Sequence, residues 1–190
     1  VQKLGQRKKP KLLPKRKCNL SVNIGLTGTP GTGKTSLSND LDFNLISIND
    51  YYPDISNGKD SEGNWLIDLE KLNYTIDVNQ YSNTIIEGHV AHFLSNLDLI
   101  VVLRCHPDKL RKRLALRNYN QEKIKENIEA EALNIISDEA FELHSESKVF
   151  ELDTTESDLS NSRNLLREII NGNIKSNKRI DYSETIMDWY

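Results

Sequence analysis

An α/β architecture, a parallel sheet flanked by helices, is what this sequence predicts. Three observations carry the prediction. Short apolar runs of strand length alternate with segments of helical period along the 190 residues. The first such run leads directly into a glycine-rich loop, and that loop into a helix. A later run, Asp98-Leu99-Ile100-Val101-Val102-Leu103-Arg104, is continuously apolar in its interior, as strands covered on both faces of a parallel sheet are.

The first strand is expected over residues 20–27. It runs into Gly28-Thr29-Pro30-Gly31-Thr32-Gly33-Lys34-Thr35, which fills the pattern G-x-x-x-x-G-K-[ST] of a phosphate-binding loop. Glycines let the backbone curl until successive N–H groups converge on phosphate oxygens. Lys34 would reach the β and γ phosphates of ATP, and the Thr35 hydroxyl would ligate Mg²⁺. A helix through residues 36–41 follows, then a second strand at 45–48. Residues 49–82 are polar and aromatic and read as a mobile excursion with one helical piece near 68–78. Thr84-Ile85-Ile86-Glu87 is a third strand, and residues 98–104 a fourth. Pro107 opens a helix to about residue 116, proline being favoured in a first turn. The period of Ile124, Ile128, Ala132, Leu133, Ile135, Ile136 and Ala140 predicts one helix over 121–144. Residues 148–152 make a fifth strand. Thr155-Glu156-Ser157-Asp158 resembles a cap for a helix to residue 170, with Asn171-Gly172 as its stop. In the tail, residues 173–190, Trp189 and Tyr190 are candidates to dock on the body.

Composition bounds the function. No apolar run approaches the roughly 18–20 residues of a membrane span, so no membrane is expected. Two cysteines, Cys18 and Cys105, are too few for a disulfide framework and point to a reducing compartment, cytoplasmic or, in a eukaryote, nuclear. The formal charge of −3 hides an asymmetry. Lys3, Arg7, Lys8, Lys9, Lys11, Lys15, Arg16 and Lys17 are eight of the chain's 25 basic residues; 17 then face 28 acids in the remainder. A basic, flexible arm over residues 1–18 on an acidic body suits an anionic partner such as RNA, or is a solvated tail.

Other chemistry sits at the third strand's end and beyond the fourth. Glu87 stands where a carboxylate would hold Mg²⁺ or its water, and His89 could orient or deprotonate an attacking water. His92 has no such position and reads as structural or solvated. Arg113 and Arg117 are spaced to share one helix face, either closing on a polyphosphate or forming a solvated basic face.

The runs "LTGTPGTGKT", "IIEGHVAH", "VVLRCHPDKLRKRLALRNYNQEKIKENIEAE" and "FELDTT" together resemble the small adenylate kinase-like NTPases of archaea and eukaryotes, of the adenylate kinase isoenzyme 6 or coilin-interacting nuclear ATPase type. The resemblance covers about residues 19–172, and its specific part runs from Arg113 to Glu131. It implies a P-loop NTPase with a five-stranded parallel sheet, a nucleoside-monophosphate (NMP) arm over about 48–72 and a short lid over about 116–126. It also implies that Gly28, Gly31, Thr32, Gly33, Lys34, Thr35, Ser36 and Arg117 hold ATP, with Thr35 and Glu87 on Mg²⁺. The catalytic set would be Lys34, Glu87, His89, Arg113 and Arg117. Implied activities are NMP kinase, with AMP as acceptor, and ATPase. Implied partners are the ribosomal protein uS11 and pre-ribosomal RNA, in maturation of the small ribosomal subunit.

One departure matters. Ordinary adenylate kinases grip AMP with arm arginines, yet no arginine lies between Thr35 and Leu103; the fixed cations there are Lys59 and Lys71. Arg104 could substitute. That span instead holds Asp50, Asp54, Asp60, Glu62, Asp68, Glu70 and Asp77, and an acidic arm suits a basic protein better than a dianion. An ATPase assembly factor that binds uS11, with little true kinase activity, is therefore the alternative. Asp60-Ser61-Glu62-Gly63 also matches a GTPase D-x-x-G, but it sits in the polar arm and no N-K-x-D segment accompanies it.

Overall fold

The structure, a computed structural model, describes residues 21–39, 41–156, 158–174, 178–187 and 189. The basic arm expected over 1–18, and Tyr190, lie outside the described residues. In chain order the elements are β1 (Asn23–Thr27), α1 (Lys34–Ser38), β2 (Asn44–Ser47), α2 (Tyr52–Ile55), β3 (Ser56–Lys59), β4 (Trp65–Ile67), α3 (Leu69–Thr75) and β5 (Thr84–Glu87). They continue with β6 (Leu99–Arg104), α4 (Pro107–Ala115), α5 (Gln121–Ala132), α6 (Ile135–Leu143), β7 (Val149–Asp153), α7 (Leu159–Ile170) and α8 (Glu184–Met187).

Five strands form one parallel sheet in the order β2-β5-β1-β6-β7. Period-two alternation divides β6 between two cores. Leu99, Val101 and Leu103 pack with Leu37 of α1 and Leu166 and Ile169 of α7. Ile100 and Val102 face the other way, onto Ile86, Leu72 of α3 and Ala140 of α6. Each such side chain, fully buried, contributes about 1.5–3 kcal/mol. The helices therefore clamp the sheet from both sides and leave the carboxyl ends of the strands as the open edge.

Three expectations need correction. The single helix expected over 121–144 is two. Asn134 adopts a left-handed conformation (φ 57°) that breaks the backbone, and its side-chain oxygen accepts from Arg104 Nη2 at 2.5 Å. Periodicity could not report that tertiary contact. The excursion after β2 holds α2 and an antiparallel β3–β4 hairpin besides α3. Asp60 of the D-x-x-G match closes that hairpin, accepting from the Glu62 and Asn64 amides at 2.9 Å each, so it is a turn residue. Arg104 is not available to a substrate: it is 2% exposed and engaged on every side, as described below.

Trp189 docks as expected. It packs on Cys105, Leu110, Leu114, Ile124 and Ile128, with Arg111 over its ring at 5.9 Å.

Candidate active site

At the open edge β1 ends, and the chain turns through Gly28 (φ 133°), Gly31 (φ 94°) and Gly33 (φ 103°). A Cβ on Gly28 would run into the Leu103 carbonyl oxygen, so glycine is what lets the loop pass against β6. A Cβ on Gly33 would meet nothing within 4 Å, so the loop is open to solvent on that side. Thr29 is the hub of the loop. Its carbonyl accepts from Thr32 N at 3.2 Å, Thr32 Oγ1 at 2.8 Å and Lys34 Nζ at 3.1 Å. Its hydroxyl donates to Glu131 Oε2 of α5 at 2.5 Å.

Lys34 Nζ also donates to the Gly28 carbonyl at 2.6 Å. Loss of water around the ammonium lowers its pKa to about 8; the charges of Glu87 and Glu131 oppose that shift and the charge of Arg117 adds to it. Ser36 lies exposed in the first turn of α1.

Glu87 closes β5 and is 2% exposed. Parallel register sets Ser47 beside it, and Ser47 Oγ donates to Glu87 Oε1 at 2.7 Å. Thr35 Oγ1 donates to the same oxygen at 3.3 Å. Among the described residues no group of three or more His, Cys, Asp or Glu gathers to cage a metal. The donor set at Thr35 and Glu87 is oxygen only. It fits a hard cation such as Mg²⁺, which takes its remaining ligands from phosphate and water.

His89 follows two residues on. Burial lowers its pKa to about 4, helped by the charges of Lys34 and Lys123, so the imidazole is neutral at pH 7. Its Nδ1 lies 2.9 Å from the Tyr52 hydroxyl of α2. Tyr52 in turn is pushed up to about 12 by burial and by the nearby Glu87 and Tyr119. His92 is structural: 1% exposed, 3.0 Å from Thr27 Oγ1 and 3.1 Å from Glu139 Oε2, with burial lowering its pKa to about 3.

The two arginines separate. Arg113, in α4, donates to Thr154 Oγ1 at 3.2 Å and to the Thr154 carbonyl at 2.6 Å; Thr154 Oγ1 donates to Thr32 O of the loop or to Arg104 O, each at 2.9 Å. Arg117 falls in the turn after α4, which the left-handed Asn118 (φ 59°) ends, so the expected pair on one helix face does not form. Arg117 is exposed, with its charge in reach of Lys34.

Sequence reasoning missed Ser47, Tyr52, Glu131 and Thr154. Strand-end position could have flagged Ser47, because a strand neighbouring β5 must end beside Glu87. No local pattern marks the other three.

Sheet order and glycine loop together define a P-loop NTPase. Residues 24–134 match the family model described as an AAA domain. A protein of Methanosarcina barkeri named "Putative adenylate kinase" is 36% identical over 182 residues, covering 87% of this chain and 96% of its own. One of the same name from Archaeoglobus fulgidus is 40% identical over 172 residues, covering 87% and 90%. In fold the chain is similar to shikimate kinase from Bacteroides thetaiotaomicron (TM-score 0.54, 22% identity, 79% of this chain and 98% of that one). It is likewise similar to shikimate kinase from Acinetobacter baumannii (TM-score 0.56, 13% identity, 82% and 95%). The chain belongs to the adenylate kinase-like family of P-loop phosphotransferases. No helix among the described residues is long and apolar enough to cross a membrane.

Proposed function

We propose that the protein is an ATP-dependent NMP kinase, with AMP as acceptor and intrinsic ATPase activity, that serves in small-ribosomal-subunit maturation. The observation that supports this reading is that Lys34, folded onto the Gly28 carbonyl of the glycine loop, lies in reach of the charge of Glu87, whose Oε1 accepts from Thr35 Oγ1. Loop amides and Lys34 would hold the β and γ phosphates, and Ser36 and Arg117 would complete the ATP contacts. Thr35 and Glu87 would hold Mg²⁺, which neutralises charge developing between those phosphates when bound. An acceptor phosphate oxygen bonds to the γ phosphorus as its bond to the β-phosphate oxygen breaks, and two diphosphates leave. Positioning and electrostatics do most of the catalysis. Arg113, committed to Thr154, braces the loop from behind, and Arg117, exposed and in reach of Lys34, would be the cation for the transferring group.

A specific observation favours a second reading, an assembly ATPase that binds uS11 and pre-ribosomal RNA. Both arm cations are engaged: Lys59 lies over the Trp65 ring at 4.5 Å, and Lys71 donates to Asn57 Oδ1 at 2.6 Å. The arm otherwise presents acids.

Steady-state ADP formation with AMP, with CMP and with no acceptor separates the two. A large AMP-dependent yield supports the kinase; turnover indifferent to monophosphate but raised by uS11 or rRNA supports assembly. Lys34→Ala should abolish both, and retained turnover would refute the phosphate-loop assignment.

A further inference from the structure

We infer that Tyr52 is a positioning residue that fixes His89 in the tautomer protonated at Nε2, so that His89 meets the transferring phosphate as a hydrogen-bond donor and not as a base. The inference rests on the phosphotransfer reading above and deepens it.

A neutral imidazole carries one proton, and the hydrogen bond made by one nitrogen decides which of the two holds it. The Tyr52 hydroxyl is partly buried and 2.9 Å from His89 Nδ1, its one hydrogen-bond partner among the described residues. A phenol partly withdrawn from water is best satisfied by placing its proton on the one acceptor within reach. Nδ1 is that acceptor, and the imidazole proton therefore sits on Nε2. Ring packing keeps the arrangement: Tyr52 meets the imidazole edge-on, with centroids 6.0 Å apart and planes at 82°, and Trp65 backs Tyr52 at 6.4 Å. Nε2 has no hydrogen-bond partner among the described residues. Thr27, the residue immediately before the phosphate loop, donates through Oγ1 to the His89 carbonyl at 3.1 Å, which sets His89 beside that loop.

The chemistry agrees with this assignment. A monophosphate acceptor is largely deprotonated at neutral pH, its second pKa being about 6. Its oxygen attacks without losing a proton, so the transfer needs no base. A donor at the equatorial oxygens would stabilise the charge they carry in the transition state. Tyr52 belongs to the arm and His89 to the rim of the sheet, so the arm's approach is what sets the imidazole.

Two measurements test this. In ¹⁵N spectra of the full chain without nucleotide, His89 should show a pyridine-type Nδ1 and a pyrrole-type Nε2. Tyr52→Phe, which keeps the ring, should populate both tautomers. With saturating AMP, Tyr52→Phe should lower kcat by about twofold, in step with the share of molecules that still carry the proton on Nε2, and leave the KM for ATP unchanged. In a His89→Ala background the same change should have no further effect. A proton on Nδ1 in the wild-type spectrum, or equal slowing by Tyr52→Phe with and without His89, would overturn the inference. The wild-type spectrum needs no variant to fold. It is also independent of turnover, so loss of the tautomer and loss of the phosphotransfer reading, tested by Lys34→Ala, are distinguishable.

Discussion

Lys34 is held on the Gly28 and Thr29 carbonyls with its pKa near 8. A phosphate set against the ammonium favours the charged form, so binding must raise that pKa and take up a proton wherever the free protein has released one. Mg-ATP affinity should weaken as pH rises from 8 to 10. Calorimetry in buffers of different ionisation enthalpy should show proton uptake there, and an affinity flat across the window would contradict the assignment. Ser47 acts one step away, through Glu87 Oε1. Ser47→Ala should raise the Mg²⁺ concentration for half-maximal rate by about tenfold or more, as lost outer-shell partners do. His89 and His92 titrate near 4 and 3 when folded and near the usual 6.5 when unfolded. Between those values the unfolded chain binds protons that the folded chain refuses. Stability is thus full above about pH 6.5 and falls as the solution is acidified, by about 1.4 kcal/mol per pH unit for each histidine. Urea midpoints from pH 7 to 4 should show that slope, and His92→Gln should flatten it.

At the scale of elements, a buried network at the ends of β6 and β7 joins α5, α6 and the C-terminal segment. Arg104 Nε donates to Glu131 Oε1 at 2.8 Å, and Nη1 donates to Glu151 Oε1 at 2.6 Å and to the Ile180 carbonyl at 2.8 Å. Burial alone would lower the guanidinium's pKa, but the two carboxylates outweigh it and raise it. Through Thr29 the same Glu131 holds the phosphate loop, so α5 is pinned to that loop near its C-terminal end. Glu131→Ala would leave Arg104 and Thr29 short of a partner in a dry site. It should cost about 3–5 kcal/mol in chemical denaturation, as breaking a buried ion pair does. A loss under 1 kcal/mol would show that water or Asn134 replaces the carboxylate. This network explains what sequence could and could not give. Strands such as β5 and β6, and the Gly33-Lys34-Thr35 corner, are local patterns and are legible. The break between α5 and α6 is not, because Asn134 leaves the helix for an arginine 30 positions away.

Across the whole molecule, charge divides by region. Arg117 lies in electrostatic reach of Lys34, and Lys34 and Lys123 in reach of His89, while the segment over residues 48–72 is acidic and its lysines are engaged. That contrast was readable from composition, since no arginine occurs between Thr35 and Leu103. Its energetic weight was not, because only the structure engages Lys59 and Lys71 and buries Arg104. A dianionic acceptor approaching this arm meets like charge, and at about 10 Å each exposed carboxylate opposes each acceptor charge by about 0.4 kcal/mol in water. Asp50, Glu62 and Glu70 are exposed on the arm. Changing all three to the amides should therefore lower the KM for AMP severalfold at low ionic strength. Raising the salt to 0.5 M shrinks the screening length to about 4 Å, and the difference should vanish. ATP turnover without acceptor should be the same for variant and wild type in either condition, since none of the three carboxylates is among the residues assigned to ATP or Mg²⁺. A KM for AMP unchanged at low salt would mean that the monophosphate does not enter beside the arm, and would shift the balance toward an arm built for a basic protein.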